Sequence, residues 1–342
     1  MTTIAIPSKT KAWRLHGFGI NNLKLETIGI PELKPHEVLV KVGAVSLNYR
    51  DKAVIDGYMG EILLPLIPVS DAAGVVVQTG SDVTNLNPGD RIISHLWSHW
   101  LDGEATPDEY KYLLGSALQG ALAQYIVLES QGVVKIPDFF SYEEACTFPT
   151  AGLSPWFALM NYGKLKAGDT VLVQGSGGVS VFGIQIAKAL GASVIATTSS
   201  ELKAEKLKYI GADEVVNYNS ADWVQETLRL TEGKGVDHLL EVVGGSGLND
   251  SAKAVKHNGQ IFIIGFLESQ TASFNLITVM SKQIKLQGIA VGHLRALGEM
   301  INFFAEKGIK PVIEKIYSFD EVIEAYDHLA KGSLGKIVIR VS

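Results

Sequence analysis

The residues of this chain best suited by type and spacing to chemistry form a glycine-rich turn, Gly175-Ser176-Gly177-Gly178-Val179-Ser180. An apolar run ending in Gln174 precedes it and helically spaced residues 184–190 follow, which puts the glycines at the corner of a strand, turn and helix. Such a corner lets the backbone approach a pyrophosphate closely and aims the N–H groups of the first helical turn at its charge. A bare G-x-G-x-x-G is weak evidence, and the third position here is Ser180, which predicts slightly looser packing of helix on strand. Context carries the reading, because Gly191 ends the helix and a second apolar strand follows over residues 192–197. The turn is therefore read as a dinucleotide site, with Gly175, Gly177, Gly178 and Val179 as contacts.

The end of the second strand selects the dinucleotide, since an acidic residue there would bond the ribose of NAD and repel a 2′-phosphate. This chain has Thr198, Ser199, Ser200 and Lys203, small hydroxyls and a cation that leave room and charge for a phosphate. The pattern predicts NADPH, with NADH as the alternative. Glu201 complicates the choice, although it lies past the usual acidic position and can begin the next helix.

Two other groups invite a chemical reading. Cys146 is the single cysteine, so no internal disulfide and no thiolate-rich metal cage can form; it follows Ser141-Tyr142-Glu143-Glu144, a capping-box pattern, and reads as a small buried helix residue. His95 and His99 have the spacing of paired metal ligands, with Asp102 and Glu104 nearby. Their segment has no helical pattern and no third ligand, so no metal is expected there.

The elements that must hold these residues change character along the chain. Residues 11–134 read as short strands and turns, including 24–28, 37–42, 69–80, 91–93 and 120–128, with an irregular connection over 97–119 that is expected to be functional or mobile. From the Ser141 cap onward, helix and strand alternate, with strands at Thr170–Gln174, 193–197, 214–216, 238–243, 260–265 and Lys285–Gly288. A helix over 297–307, a strand over 313–317, a helix from the Asp320 region to Lys331 and a strand over 336–341 return to the first domain. The domains are expected at 1–140 with 291–342, and at 141–290.

A chain of 342 residues with 46% hydrophobic content can bury two cores. Its net charge of −6 gives no basic field for nucleic acid. No apolar run reaches the roughly 18 residues of a membrane helix, and residues 1–9 lack the apolar core of a leader, so a cytoplasmic protein is expected.

Over nearly its whole length the chain resembles the medium-chain dehydrogenase/reductases, in their zinc-independent, quinone-oxidoreductase-like branch. The resemblance rests on an ordered set: Ser46-Leu47-Asn48-Tyr49-Arg50-Asp51, Pro88-Gly89-Asp90-Arg91, Pro149-Thr150-Ala151-Gly152, residues 166–175, Leu190-Gly191-Ala192 and Gly211-Ala212-Asp213. It implies an α/β chain with a GroES-like β-rich barrel domain and a doubly wound parallel Rossmann sheet. Zinc alcohol dehydrogenases of this superfamily place cysteine at the position of Asn48 and a His-Glu pair at Ser70-Asp71, so the ligand set of a catalytic zinc is missing.

The resemblance further implies that Asn48, Tyr49 and Asp51 lie in the active-site cleft. Tyr49 there is a candidate hydrogen-bond or proton donor and Asn48 a holder of an oxygen, while packing of Tyr49 and Tyr58 and an ion pair or turn bond at Asp51 remain open. Thr150 resembles the threonine beside the nicotinamide and Tyr218 the tyrosine near the adenosine phosphate; Val243, Gly244, Gly265 and Phe266 follow the fourth and fifth strands, where such sheets bind ligands. His293 and Arg295 are read either as reaching the cleft or as plain loop residues.

The expected activity is hydride transfer from NADPH to a small-molecule acceptor, a quinone or an enone-like carbonyl, without zinc. An alcohol dehydrogenase and an NADPH-binding sensor with little turnover stand as alternatives. The family also implies a homodimer joined through the last Rossmann strand.

Overall fold

Runs of β-branched and apolar residues cut by proline and glycine form the strands of the first part of the chain. The computed structural model describes residues 6–60 and 62–342, so residues 1–5 of the stretch read above for a leader lie outside it. Strands β1 (Lys9–Leu15) and β2 (Leu23–Gly29) pair as an antiparallel hairpin. Next come β3 (Glu37–Leu47), helix α1 (Tyr49–Ile55), β4 (Asp71–Thr79), β5 (Arg91–Ser94), β6 (Tyr125–Glu129), β7 (Val133–Lys135) and helix α2 (Tyr142–Ala145). β3 is the axis of this part, antiparallel to β4 on one side and bonded to β6 as well.

Residues 120–124, expected as strand, do not join β6. They run between two other segments, Gly120 and Ala121 donating to the carbonyls of Ile67 and Val69, while Trp13 donates to Leu122 and Gln124 to Lys11.

The chain then forms α3 (Leu153–Trp156), β8 (Thr170–Gln174), α4 (Gly178–Ala189), β9 (Ser193–Thr198), α5 (Glu201–Ile210), β10 (Glu214–Asn217), α6 (Trp223–Leu230), β11 (Val236–Glu241), α7 (Gly247–Ala254), β12 (Val255–Ile263), α8 (Leu276–Lys282) and β13 (Lys285–Gly288). The six strands form one parallel sheet in the order β10-β9-β8-β11-β12-β13. This is the doubly wound order, whose strand order reverses beside β8, directly before the glycine turn. Leu172, Ile195, Leu239, Ile261 and Val255 lie in its buried core.

Finally α9 (Leu294–Glu306), β14 (Ile313–Ser318), α10 (Val322–Lys331) and β15 (Lys336–Arg340) return to the first sheet, which then runs β14-β15-β3-β4-β5-β7 with β6 on β3. Its core clusters Val40, Val42, Val45, Leu47, Ala72, Ile92, Ile337 and Ile339. Burial of each large side chain contributes about 1.5–3 kcal/mol.

The chain divides into one unit that ends at Thr150 and resumes over His293–Ser342, and a second unit, Ala151–Gly292. The first boundary lies past the expected 140/141 break because the segment after Ser141 belongs to the first unit. Ser141 and Glu144 close the predicted capping box, with 3.2 Å and 2.9 Å bonds, and α2 packs on β3 and β4. Cys146, just past α2, is fully buried, and burial pushes its thiol pKa well up.

Candidate active site

Each unit builds a buried polar cluster around one carboxylate. In the first unit the carboxylate is Asp71, at the start of β4 and fully buried. Its Oδ1 accepts from Ser70 Oγ at 2.6 Å and Thr150 Oγ1 at 2.8 Å, and its Oδ2 from Asn48 Nδ2 at 2.9 Å and the Thr150 N–H at 3.0 Å. A carboxylate has about four acceptor positions, so Asp71 is saturated.

Asn48 caps α1, and its backbone N–H donates to Asp51 Oδ2 at 2.8 Å. On the far side of Asn48, Lys336 at the start of β15 donates its buried Nζ to Asn48 Oδ1 at 2.5 Å and to the Leu47 carbonyl at 2.6 Å. Burial lowers the Lys336 pKa, opposed by the charges of Asp71 and Asp51. Asp51 is wholly buried and bridged to Arg50 at 3.1 Å; Arg50 also donates to Ser116 Oγ at 3.2 Å. Burial pushes the Asp51 carboxyl up to about 6, with Arg50 pulling it down and Asp71 adding to the rise.

Two of the three catalytic candidates, Asn48 and Asp51, are thus built into the scaffold as cap and capping-box partner. Tyr49, the first residue of α1, is 39% exposed, and Tyr58 is exposed too. Asn48, Ser70 and Asp71 are the positions at which the resemblance described above would put the ligands of zinc relatives. As an amide, a hydroxyl and a saturated carboxylate, with an ammonium group already on the amide oxygen, they do not fit a zinc tetrahedron.

The connection over 97–119 is not a loose loop. Trp97 packs edge-on against Trp100 and Tyr110, and His99 stacks on Tyr112 at 3.5 Å between centroids. His95, at the end of β5, places Nδ1 2.8 Å from the Trp97 carbonyl. Asp102 pairs with Arg295 at 2.9 Å and His293 at 3.4 Å. His293 caps α9 through Nδ1, which accepts from the Ala296 N–H at 3.0 Å, and burial lowers its pKa. His293 and Arg295 therefore brace this connection. His95, His99, Asp102 and Glu104 form no shared ligand group; among the described residues only His36, Glu37 and Glu129 bring three such donor atoms within 4.8 Å.

In the second unit, Gly177 is the N-cap of α4 and offers no side chain to cap it, and a Cβ on it would meet nothing within 4 Å. The turn has no packing reason for glycine at this position, and the N–H groups of the first turn of α4 are of the kind that could hold a pyrophosphate. Gly175 has φ of 74°, which only glycine adopts easily. Gly178 and Val179 open α4 itself.

Ser180 overturns the expectation of looser packing: it is 2% exposed and its Oγ donates to the Gln174 carbonyl at 2.6 Å, tying helix to strand. The close-packing glycine is Gly183, one turn on, where a Cβ would lie 2.6 Å from Leu240 Cδ1. Its place inside the helix hid it from a reading fixed on the G-x-G-x-x-G spacing.

At the end of β9, Thr198 is buried and its Oγ1 accepts from the Ser200 N–H at 3.4 Å, while Ser199 is exposed. Ser200 caps α5, accepting from the Lys203 N–H at 3.5 Å, and Lys203 is half-buried. Glu201 begins α5, and Asn217 Nδ2 donates to its carboxylate. Tyr218 is exposed beside a surface hollow of about 290 Å³ lined by Asp222, Trp223, Asp250 and Lys253. Val243-Gly244 and Gly265-Phe266 pack together as loops, the Glu268 N–H donating to the Val243 carbonyl at 2.8 Å. A Cβ on Gly244 would lie 2.7 Å from the Ser269 carbonyl oxygen, so this glycine has a packing role of its own.

Sequence reasoning missed Lys336, Gln174, Glu241 and Ser251. A lysine opening an apolar strand and a glutamate closing one were the available signals, and both are common at exposed strand ends.

A sheet in this order with a glycine turn at its switch point is the architecture in which dinucleotides bind at the C-terminal ends of the strands. Two family models match, the alcohol dehydrogenase GroES-like domain over residues 34–138 and the zinc-binding dehydrogenase over 178–306. The chain is 35% identical to a zinc-type alcohol dehydrogenase-like protein of Schizosaccharomyces pombe, over 94% of this chain and 96% of that one. It is 30% identical to the 2-methylene-furan-3-one reductase of Solanum lycopersicum, over 99% and 81%. A crystal structure from Sinorhizobium meliloti 1021, provisionally described as an alcohol dehydrogenase, superposes with a TM-score of 0.94 at 43% identity, over 98% and 100%. The chain belongs to the medium-chain dehydrogenase/reductase superfamily, in its quinone-oxidoreductase-like branch, and is an NAD(P)-dependent oxidoreductase.

Proposed function

We propose that the chain is an NADPH-dependent reductase that delivers hydride to a quinone-like or enone-like acceptor without zinc. The observation that carries this reading is the saturated Asp71 with Lys336 bonded to Asn48. With no Lewis acid to polarise a simple ketone, the acceptor must be electrophilic by its own structure, as quinones and enones are. The tomato relative, named for reducing a conjugated methylene ketone, supports this acceptor class.

When bound, the nicotinamide supplies the hydride chemistry. The first turn of α4 holds the pyrophosphate, and Ser199, Ser200 and Lys203 receive the 2′-phosphate, with Thr198 buried behind them. Attachment of the Glu201 carboxylate to Asn217 favours the phosphate over a ribose hydroxyl, and so NADPH over NADH. By the resemblance, Thr150, held at both N and Oγ1 by Asp71, would serve the nicotinamide, and Tyr218, Val243, Gly244, Gly265 and Phe266 would be the remaining cofactor contacts. Tyr49 hydrogen-bonds the acceptor oxygen, while Asn48 and Asp51 position it from the cap of α1.

The reading includes a cytoplasmic homodimer. Among the described residues β13 pairs only with β12, and Leu276, Ile277, Met280 and Leu286 are exposed beside its open edge. A monomer in sedimentation would overturn the dimer.

The activity is tested with NADPH and NADH against a panel of quinones, enones and simple alcohols, following loss or gain of reduced-cofactor absorbance. Turnover of quinones or enones with NADPH is expected. Turnover confined to alcohols, or tight NADPH binding with no turnover, would replace it with an alcohol dehydrogenase or a sensor.

A further inference from the structure

The second unit holds a buried carboxylate that the proposed chemistry does not use. Glu241 ends β11 and is fully buried, and Gln174 ends β8 immediately before the glycine turn. Every hydrogen bond to the Glu241 carboxylate is donated to it. Oε1 accepts from the N–H groups of Val243 at 2.8 Å and Gly244 at 3.0 Å, and Oε2 from Gln174 Nε2 at 3.1 Å and from Ser251 Oγ of α7. Gln174 completes the ring: its Oε1 accepts from the Val242 N–H at 3.1 Å and its Nε2 donates to Ser251 Oγ at 3.1 Å.

Among the described residues no lysine, arginine or histidine forms an ion pair with Glu241. A buried charge without a counter-ion is costly, and the neighbouring strand positions Leu172, Leu239 and Ile261 show that apolar residues suffice to hold this sheet together. The carboxylate sits at the C-terminal ends of the strands, where ligands of this fold bind, and its bonds join the backbone of the loop after β11 to the side chain of Ser251 on α7 and to that of Gln174, the strand residue next before the glycine turn.

We propose that Glu241, with Gln174 and Ser251, is a positioning residue that locks the loop after β11 to the glycine turn and so pre-forms the dinucleotide mouth before the cofactor arrives. The inference rests on the dinucleotide reading above. Gly244 and Gly245 have φ of 72° and 55°, a backbone without strong preferences of its own; Glu241 fixes the Val243 and Gly244 N–H groups on one side, while the Glu268 N–H holds the Val243 carbonyl on the other. Binding to a mouth already ordered avoids the entropic cost of ordering it.

The bond directions define the test. In Glu241→Gln the new amide either faces the Gln174 amide, donor to donor, or turns its NH₂ toward Val243 and Gly244. Gln174→Glu places two carboxylates face to face. The exchanged pair, Gln174→Glu with Glu241→Gln, satisfies all donors again: the carboxylate now at position 174 would accept from Val242, Ser251 and the new amide at position 241, whose oxygen accepts from Val243 and Gly244.

Affinity for NADPH by titration, KM and kcat for the reduction, and hydrogen exchange of the 242–245 backbone are measured on the full chain. Each single variant should lose on the order of tenfold in NADPH affinity, the scale of one buried unsatisfied group. Its kcat at saturating NADPH should stay near wild type, with faster exchange over 242–245 in the cofactor-free protein. The exchanged pair should recover both affinity and protection.

Wild-type affinity in a folded Glu241→Gln chain, or an exchanged pair no better than the singles, would overturn the proposal. If the single variants do not fold, the exchanged pair alone decides, because a folded pair with wild-type affinity and protection supports it and one that also fails to fold or bind counts against it. A wild type that binds neither NADPH nor NADH would instead sink the dinucleotide reading, while the exchange data would still report whether Glu241 orders the loop.

Discussion

The two buried carboxylate clusters satisfy their charge by different means. Asp71 lies among ions: Lys336 bonds its partner Asn48, and Arg50 pairs with the neighbouring Asp51, so two cations stand with two carboxylates. Glu241 forms no ion pair among the described residues and is held by two backbone N–H groups, an amide and a hydroxyl. The first arrangement couples its residues through charge and is sensitive to the loss of any one ion. The second couples them through bond direction, so that swapping donor for acceptor matters more than removing charge.

The largest effect should come from removing the cation of the first cluster. Lys336→Met leaves Asp71 and Asp51 with one cation between them and should cost about 3–5 kcal/mol of stability. Urea unfolding measures it, and an unchanged midpoint would break the comparison.

Next in size is a pH effect at Asp51, which faces Arg50, Asp71, Lys336 and, from α10, Tyr326. Its carboxyl titrates at about 6 when folded, against an ordinary 3.8. The folded chain therefore holds the proton more tightly; the stabilisation is full below 3.8 and is lost as pH rises through about 6. Over that window Asp51→Asn should gain on the wild type by on the order of 2–3 kcal/mol. Unfolding at about pH 4 and pH 7 tests this, and a constant difference would show that the ions of this cluster do not set the Asp51 proton.

A smaller change is expected at Tyr49, which the proposed function sets against the acceptor. Tyr49→Phe should lower kcat about tenfold, the worth of one hydrogen bond, while leaving the unfolding midpoint in place. Loss of stability instead of rate would assign Tyr49 to packing. The smallest expected effect is Ser180→Ala, which removes the bond to the Gln174 carbonyl and should cost about 1 kcal/mol. No loss would mean that the Ser180 bond is not what ties α4 to β8.

Much of the fold was legible before the structure because its signals are local. The apolar period of β8, the Ser141 capping box and the positive-φ glycine at 175 each follow from a few adjacent residues. The strand–turn–helix corner at 174–178 and the end of β9 followed by α5 were legible as elements for the same reason. The direction of the Ser180 bond and the bracing of the 97–119 connection by His293 and Arg295 were not. Those depend on partners brought close by the fold: Trp100 and Asp102 meet the start of α9 only after a whole domain has intervened in the chain.

The sequence by itself determined a β-rich part followed by alternating helix and strand, a strand–glycine turn–helix corner and the lack of thiolate ligands beyond Cys146, since residue type and short-range spacing suffice for these. Only the tertiary structure decided that Asn48 and Asp51 are bonded into the scaffold, that Lys336 reaches Asn48 across 288 positions of chain, and that Gln174 and Glu241 share a hydrogen-bonded ring. A buried polar group is defined by which donors surround it, and that is a property of three-dimensional neighbours rather than of chain order.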